Sequence, residues 1–173
     1  MGVFTNLQEM KFPQFHLFSN SSNSKTAFSN IDCYDDLKEI VKRALNAPDS
    51  YNLLFCGPPS SAKTQFLQGI LDIRKDAVYF DATNMTNKIL DVLEQKRPSI
   101  ILIDEIAKAS RVWLEKLLNF LESGHVKVDQ QKKSYDFTIK SAKVFCTCND
   151  IGRLSKPLQS RFKKVFLQRY SEE

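Results

Sequence analysis

No apolar run in the 173-residue chain approaches the roughly 18–20 residues that a membrane-spanning helix needs, so a membrane span is not expected. The N-terminus lacks the charged-then-apolar-then-small pattern of a secretory signal. Histidine is scarce, and neither His16 nor His125 stands at ligand spacing from the four cysteines, which argues against a zinc site. Cys56, Cys146 and Cys148 fall inside strongly apolar stretches, where a thiol behaves as a small hydrophobe, and Cys33 has no such partner pattern either. A reduced, cytoplasmic setting is the expectation that follows. No internal repeat is visible, which excludes a solenoid or an array.

What is present is an ordinary globular composition, 42% hydrophobic and 26% charged, in a length that suits one domain. The net charge of +5 permits a polyanionic partner without requiring one. Residues 1–27 read differently from the rest: Phe4, Phe12, Phe15 and Phe18 are scattered ahead of the polar run Ser19-Asn20-Ser21-Ser22-Asn23-Ser24. This is the pattern of an arm or linker, its aromatics docked on a surface or left as a partly ordered tail. Residues 28–173 form the folded domain.

Within the domain, Leu37, Ile40, Val41, Ala44 and Leu45 recur at helical spacing until Pro48. Residues 52–56 predict a buried strand, and a helix beginning near Ala62 turns Phe66, Leu67, Ile70 and Leu71 inward. Strands are expected over 77–80, 99–104, 143–148 and 164–167, and a helix over 86–95. A further helix over 111–122 turns Val112, Leu114, Leu117, Leu118 and Leu121 to the core. Residues 126–128 and 137–139 flank a polar turn and predict a hairpin. Apolar strands alternating with helices mean an α/β fold, a parallel sheet covered on both faces.

Two motifs carry chemistry. Gly57-Pro58-Pro59-Ser60-Ser61-Ala62-Lys63-Thr64 follows a strand and opens a helix, the setting of a phosphate-binding loop. The N–H groups of Ser61, Ala62, Lys63 and Thr64 are expected to point at a β-phosphate, with Lys63 on the β- and γ-phosphates and the Thr64 hydroxyl on magnesium. Glycine ordinarily precedes that lysine. Ala62 fits a residue entering a right-handed helix but adds a methyl group beside the phosphates, so binding is better supported than hydrolysis. The second motif is Ser99-Ile100-Ile101-Leu102-Ile103-Asp104-Glu105, an apolar strand that delivers two carboxylates at its C-terminal end. Asp104 is the expected magnesium holder, and Glu105 the group that polarises an attacking water.

With these motifs in place, residues 28–170 resemble the large nucleotide-binding subdomain of an AAA+ ATPase. The resemblance implies a P-loop NTPase fold: a three-layer αβα sandwich with a five-stranded parallel sheet, here with a small β-hairpin insertion. It implies ATP or ADP with Mg2+ as ligands. The segment from Phe28 to Leu37 resembles the stretch that packs near adenine, making Ile31, Cys33 and Tyr34 base-pocket candidates. Val144-Phe145-Cys146-Thr147-Cys148-Asn149 resembles the strand ending in the first sensor residue, so Asn149 is expected beside the acidic pair. Leu154-Ser155-Lys156-Pro157-Leu158-Gln159-Ser160-Arg161-Phe162 resembles the stretch bearing an arginine finger, which implies that Arg161 acts on ATP bound to a neighbouring subunit, with Arg153 as the alternate.

That last segment is similar to RuvB, the Holliday-junction branch-migration motor, and the Gly57–Thr64 loop to archaeal RuvB-like ATPases. RuvB itself has glycine before the lysine and threonine at the sensor position, where this chain has Ala62 and Asn149. The resemblance implies a homo-oligomeric ring, a hexamer for a full-length protein. A helical lid ordinarily follows the last strand in this family; the chain ends at Glu173 without one, so weak binding and slow hydrolysis by this piece are expected. The hairpin of residues 125–140 carries Lys127, Lys132, Lys133 and Lys140. Three readings of it stay open: a channel-facing loop that tracks a phosphate backbone, a protein-remodelling loop, or a solvated turn. Accordingly three functions stay open: an ATP-driven motor on DNA, a protein remodeller, and a nucleotide-dependent scaffold that does not hydrolyse.

Overall fold

The structure, a computed structural model, describes residues 28, 31, 34–130 and 133–168; the N-terminal arm, Cys33 and Lys132 lie outside these. The chain alternates as expected: α1 (Asp35–Asn46), β1 (Tyr51–Cys56), α2 (Lys63–Ile73), β2 (Ala77–Asp81), α3 (Lys88–Lys96) and β3 (Ile100–Asp104). It continues through α4 (Arg111–Ser123), β4 (His125–Asp129), β5 (Ser134–Thr138), β6 (Lys143–Cys148), α5 (Lys156–Ser160) and β7 (Lys163–Phe166). Five strands form one parallel sheet in the order β2-β3-β6-β1-β7, with β1, β3 and β6 in the centre. Among the described residues no helix is long and apolar enough to cross a membrane.

Strand alternation sorts the core into two layers. Leu53, Phe55, Ile100, Leu102 and Phe145 face α1 and α2, where they meet Leu37, Val41, Phe66, Leu67 and Ile70. Leu54, Ile101, Ile103, Val144 and Cys146 face the other way, onto Leu90, Leu93, Phe120 and Leu158. The central strands are therefore apolar on both sides, and they read as continuous runs for that reason. The α1 residues expected in the core, Leu37, Ile40, Val41, Ala44 and Leu45, are all buried.

Helix α4 departs from expectation. Phe120 is its fully buried side chain, Leu114, Leu117, Leu118 and Leu121 are half-buried, and Val112 is 59% exposed. Val112 lies in the first turn, where Trp113 and Leu114 pack on the core and Val112 faces solvent. Gly124 ends the helix in the left-handed region (φ 68) and returns its N–H to the Phe120 carbonyl. A Cβ there would stand 2.6 Å from the Ile139 carbonyl oxygen, so the turn into β4 needs glycine.

Gly69, inside α2, is explained by packing rather than by conformation. The Phe28 ring lies on it and against Phe66 (centroids 5.6 Å apart), and a Cβ at Gly69 would stand 2.5 Å from Phe28 Cδ1. Gly69→Ala gains about 1 kcal/mol of helix propensity but costs roughly 1–3 kcal/mol in displacing a buried ring. A net loss of about 1 kcal/mol is expected, seen as a lower denaturant midpoint at unchanged slope.

Strands β4 and β5 form the expected antiparallel hairpin, but it is not a detached loop. Val126, Tyr135, Phe137 and Ile139 are buried in the main core. Lys133 bridges Asp91 (2.7 Å) and Glu94 (2.9 Å) of α3, and the Tyr135 hydroxyl donates to Asp91. Arg97 donates to the Thr138 carbonyl and lies over the Phe137 ring. One of the lysines expected to reach outward is thus spent inside the molecule, while Lys127 and Lys140 are exposed.

Candidate nucleotide site

The loop between β1 and α2 lies at the C-terminal edge of the sheet, where open α/β folds bind ligands. Gly57 donates its N–H to the Cys148 carbonyl (3.1 Å), and a Cβ at this position would collide with the Leu167 carbonyl. Pro58 turns its carbonyl into the loop, where it accepts from Lys63 Nζ (2.6 Å) and Ser61 Oγ (2.7 Å). Lys63 also donates to Ser61 Oγ (3.1 Å) and is only 5% exposed. Burial lowers the Lys63 pKa, and the Glu105 and Asp104 carboxylates oppose that shift. Lys63, Asp104 and Glu105 therefore share one electrostatic neighbourhood, although they come from distant parts of the sequence. Pro59 and Ser60 are exposed on the loop's crest.

Ala62 corrects an expectation. It precedes α2 in the left-handed region (φ 59), not in a right-handed helical conformation, and Ser60 is left-handed as well (φ 64). The helix begins one residue later than the apolar periodicity indicates, so Ala62 makes the reversal that glycine makes without cost. A left-handed non-glycine residue costs about 1–2 kcal/mol, while a buried methyl contributes roughly 0.8 kcal/mol. Ala62→Gly is therefore expected to stabilise the fold by about 0.5–1 kcal/mol, measured by chemical denaturation; a destabilised variant would show that the methyl's packing outweighs the strain.

The acidic pair sits at the end of β3. Thr64 Oγ1 lies 3.2 and 3.1 Å from the two carboxylate oxygens of Asp104. Tyr79 OH donates to Asp104 Oδ2 (2.9 Å), and Thr147 Oγ1 donates to Asp104 Oδ1. Burial, then the Asp104 carboxylate, push the Tyr79 phenol well above its ordinary value. Glu105 adopts a left-handed conformation (φ 54), its N–H donating to Thr147 Oγ1 (2.8 Å). Its Oε2 accepts from Asn149 Nδ2 at 2.7 Å and lies 3.5 Å from Lys108 Nζ. Non-glycine residues in this backbone region concentrate where a side chain must be aimed.

Lys63, Thr64, Asp104, Glu105 and Asn149 are thus brought together, as the motifs imply. Tyr79, Thr147 and Lys108 belong to the same cluster and were not singled out from sequence. Thr147 was legible in principle, because it shares a strand face two residues before Asn149. Tyr79 was not: only the β2–β3 register, Tyr79 opposite Leu102, places its hydroxyl near Asp104.

Among the described residues, the remaining candidates make no hydrogen bond to this cluster. Ile31 is buried among α1 and α2 side chains, and Tyr34 is half-buried beside Phe66, with its hydroxyl on the Gln168 carbonyl. Cys33 lies outside the described residues. Arg161 stands at the opposite end of the sheet, its guanidinium on Glu122 and its carbonyl accepting from Asn52 Nδ2 (3.3 Å). Arg153 pairs loosely with Asp150. Among the described cysteines, burial pushes the Cys56 thiol up to about 12 and the Cys148 thiol up to about 11.

Oxygen donors from Thr64 and Asp104 suit a hard cation such as Mg2+, which is held by one or two carboxylates plus substrate phosphates rather than by an all-protein cage. No group of three or more His, Cys, Asp or Glu side chains among the described residues is arranged to hold a metal ion.

A five-stranded parallel sheet with this loop and acidic pair at its C-terminal edge defines a P-loop nucleotide-binding fold. Residues 59–164 match the AAA domain family, dynein-related subfamily, and the chain belongs to that family. It is also similar to the Chromosome transmission fidelity protein 18 homolog of Drosophila melanogaster, 28% identical over 123 residues. That match covers 62% of this chain and 12% of the relative's length.

Proposed function

We propose that the domain binds and hydrolyses ATP with magnesium, as one subunit of a homo-oligomeric ring that works on DNA in the manner of RuvB-like ATPases. The observation that carries the ATPase reading is the convergence of Lys63, Thr64, Asp104, Glu105 and Asn149. In this reading Lys63 exchanges the Pro58 carbonyl for the β- and γ-phosphates, a transfer between acceptors rather than the exposure of a bare charge. Thr64 and Asp104 would hold magnesium, whose chemistry there would be the neutralisation of charge on the phosphoryl oxygens. Glu105 takes the proton of the attacking water, and Asn149 fixes the carboxylate that does so. Ile31, Cys33 and Tyr34 form the base side. Arg161 serves the site of the next subunit, and six subunits close the ring.

The DNA reading is supported by the net charge of +5, by exposed Lys127 and Lys140, and by the relative's name, which concerns chromosome transmission. Its test is ATP turnover with and without four-way junction DNA. Stimulation, reduced when Lys127 and Lys140 become Glu, is the expected result; Lys132 joins them in the same test. Lys133→Glu is a poorer probe, because it would also place a third carboxylate against Asp91 and Glu94. Stimulation by unfolded protein instead would transfer the domain to the remodelling class.

A second reading, a nucleotide-dependent scaffold without hydrolysis, is favoured by Ala62. Its methyl sits on a left-handed residue in the loop itself. ATP binding without turnover, restored to turnover by Ala62→Gly, would select it.

A further inference from the structure

The Asp104 carboxylate is held from three sides. Thr64 Oγ1 straddles both oxygens, Thr147 donates to Oδ1, and Tyr79 donates to Oδ2 at 2.9 Å. The three donors differ in what else they do. Thr64 opens α2 and is the hydroxyl that magnesium would engage. Thr147 is buried and already tied to the Glu105 N–H. Tyr79 comes from β2, an edge strand of the sheet, and is 37% exposed as a residue. It contributes little to either core layer: Val78, its neighbour on the strand, is the residue β2 buries. The most specific contact of Tyr79 is thus a hydrogen bond to the carboxylate that faces the phosphate loop.

On these grounds, and resting on the ATP–magnesium reading above, we propose that Tyr79 is a positioning residue for the metal. Its hydroxyl fixes the orientation of Asp104, so that with Thr64 engaged elsewhere the carboxylate is still pinned at both oxygens, by Thr147 on one and Tyr79 on the other. A carboxylate with one oxygen unpinned can rotate about its terminal torsion, which is broad and soft. Held at both, it presents a fixed oxygen to the cation. Groups that orient a metal's ligands typically govern 10–100-fold in metal affinity or activity. One hydroxyl of three, on a partly exposed residue, belongs near the lower end, about tenfold.

The experiment is Tyr79→Phe, which removes one oxygen and keeps the ring. A fluorescent ATP analogue is titrated into the full chain in EDTA and then across a Mg2+ series, with Mn2+ binding followed in parallel by electron paramagnetic resonance. The expected result has two parts. Affinity without metal stays within about twofold of wild type, whereas the Mg2+ and Mn2+ midpoints rise by about tenfold. A residue that merely braced β2 would lower the melting temperature and leave those midpoints alone, and that outcome overturns the proposal. Equal weakening with and without metal overturns it too, because the hydroxyl would then be serving the nucleotide or the fold. If the wild-type chain binds no nucleotide under either condition, the ATP reading falls and this one with it. Wild-type binding that depends on metal, with Tyr79→Phe indistinguishable, removes only the role of Tyr79.

Discussion

Replacing Glu105 with Gln is expected to lower ATP turnover by roughly 10²- to 10⁴-fold, the range a positioned general base supplies, while nucleotide affinity stays within a few-fold of wild type. The substitution keeps the size of the side chain and an oxygen with which to accept from Asn149 Nδ2, now at 2.7 Å from Glu105 Oε2. The backbone at this position is also preserved, because its left-handed conformation is held by the N–H bond to Thr147 and glutamine bears it no worse than glutamate. What disappears is the basicity and the negative charge. Loss of that charge removes one of the two carboxylates that favour the Lys63 ammonium, so a modest change in affinity is allowed. Phosphate release and equilibrium binding of a fluorescent nucleotide separate the two effects. Turnover within threefold of wild type would remove Glu105 from the chemistry, and a parallel collapse of binding would make it a structural residue.

The parts of this site that were readable in the sequence are those that local pattern controls. A five-residue apolar strand ending in Asp104-Glu105 has few alternatives once it is buried on both faces, and β1 and β6 read clearly for the same reason. Lys63 and Thr64 follow from strand, loop and helix in succession. The misreadings arose where a residue's state depends on something outside its own window. Ala62 resembles a helix-entry residue because alanine favours helices, yet the loop reverses at this residue before α2 begins.

The same distinction explains the hairpin and α4. Counting lysines over residues 125–140 treats each as a free cation, whereas Lys133 meets two carboxylates about forty positions earlier in the sequence. Helical spacing marks Val112 as inward, but Trp113 and Leu114 take the core-facing places in that turn and leave Val112 exposed. Asp104 shows the point from the other direction. Its three hydroxyl donors come from α2, β2 and β6, and Tyr79 belongs to no motif. The chemistry-bearing atoms were legible; the atoms that aim them depend on strand order.

Arg161→Ala is the second large effect, and its geometry makes an unusual demand on the test. Asn52, the second residue of β1, holds the Arg161 carbonyl, whereas the phosphate loop begins after Cys56 at the other end of that strand. At about 3.3 Å per residue this separation is roughly 15 Å, beyond the reach of an arginine side chain toward its own loop. The proposed action of Arg161 would therefore have to fall on a neighbouring copy, and an arginine supplied in this way is worth about 10³–10⁵ in turnover. Stability should scarcely change. The ion pair with Glu122 is more than 40% exposed on both sides, and such pairs contribute about 0–1 kcal/mol. The same weakness lets the guanidinium leave Glu122 for a phosphate at little cost. Arg161→Ala and Glu105→Gln chains should each be nearly inactive, yet an equal mixture should recover roughly a quarter of wild-type turnover if copies associate head to tail, because that fraction of contacts joins an intact Glu105 to an intact Arg161. Mixtures as inactive as their parents, from chains that still assemble, would show that Arg161 is not shared between subunits.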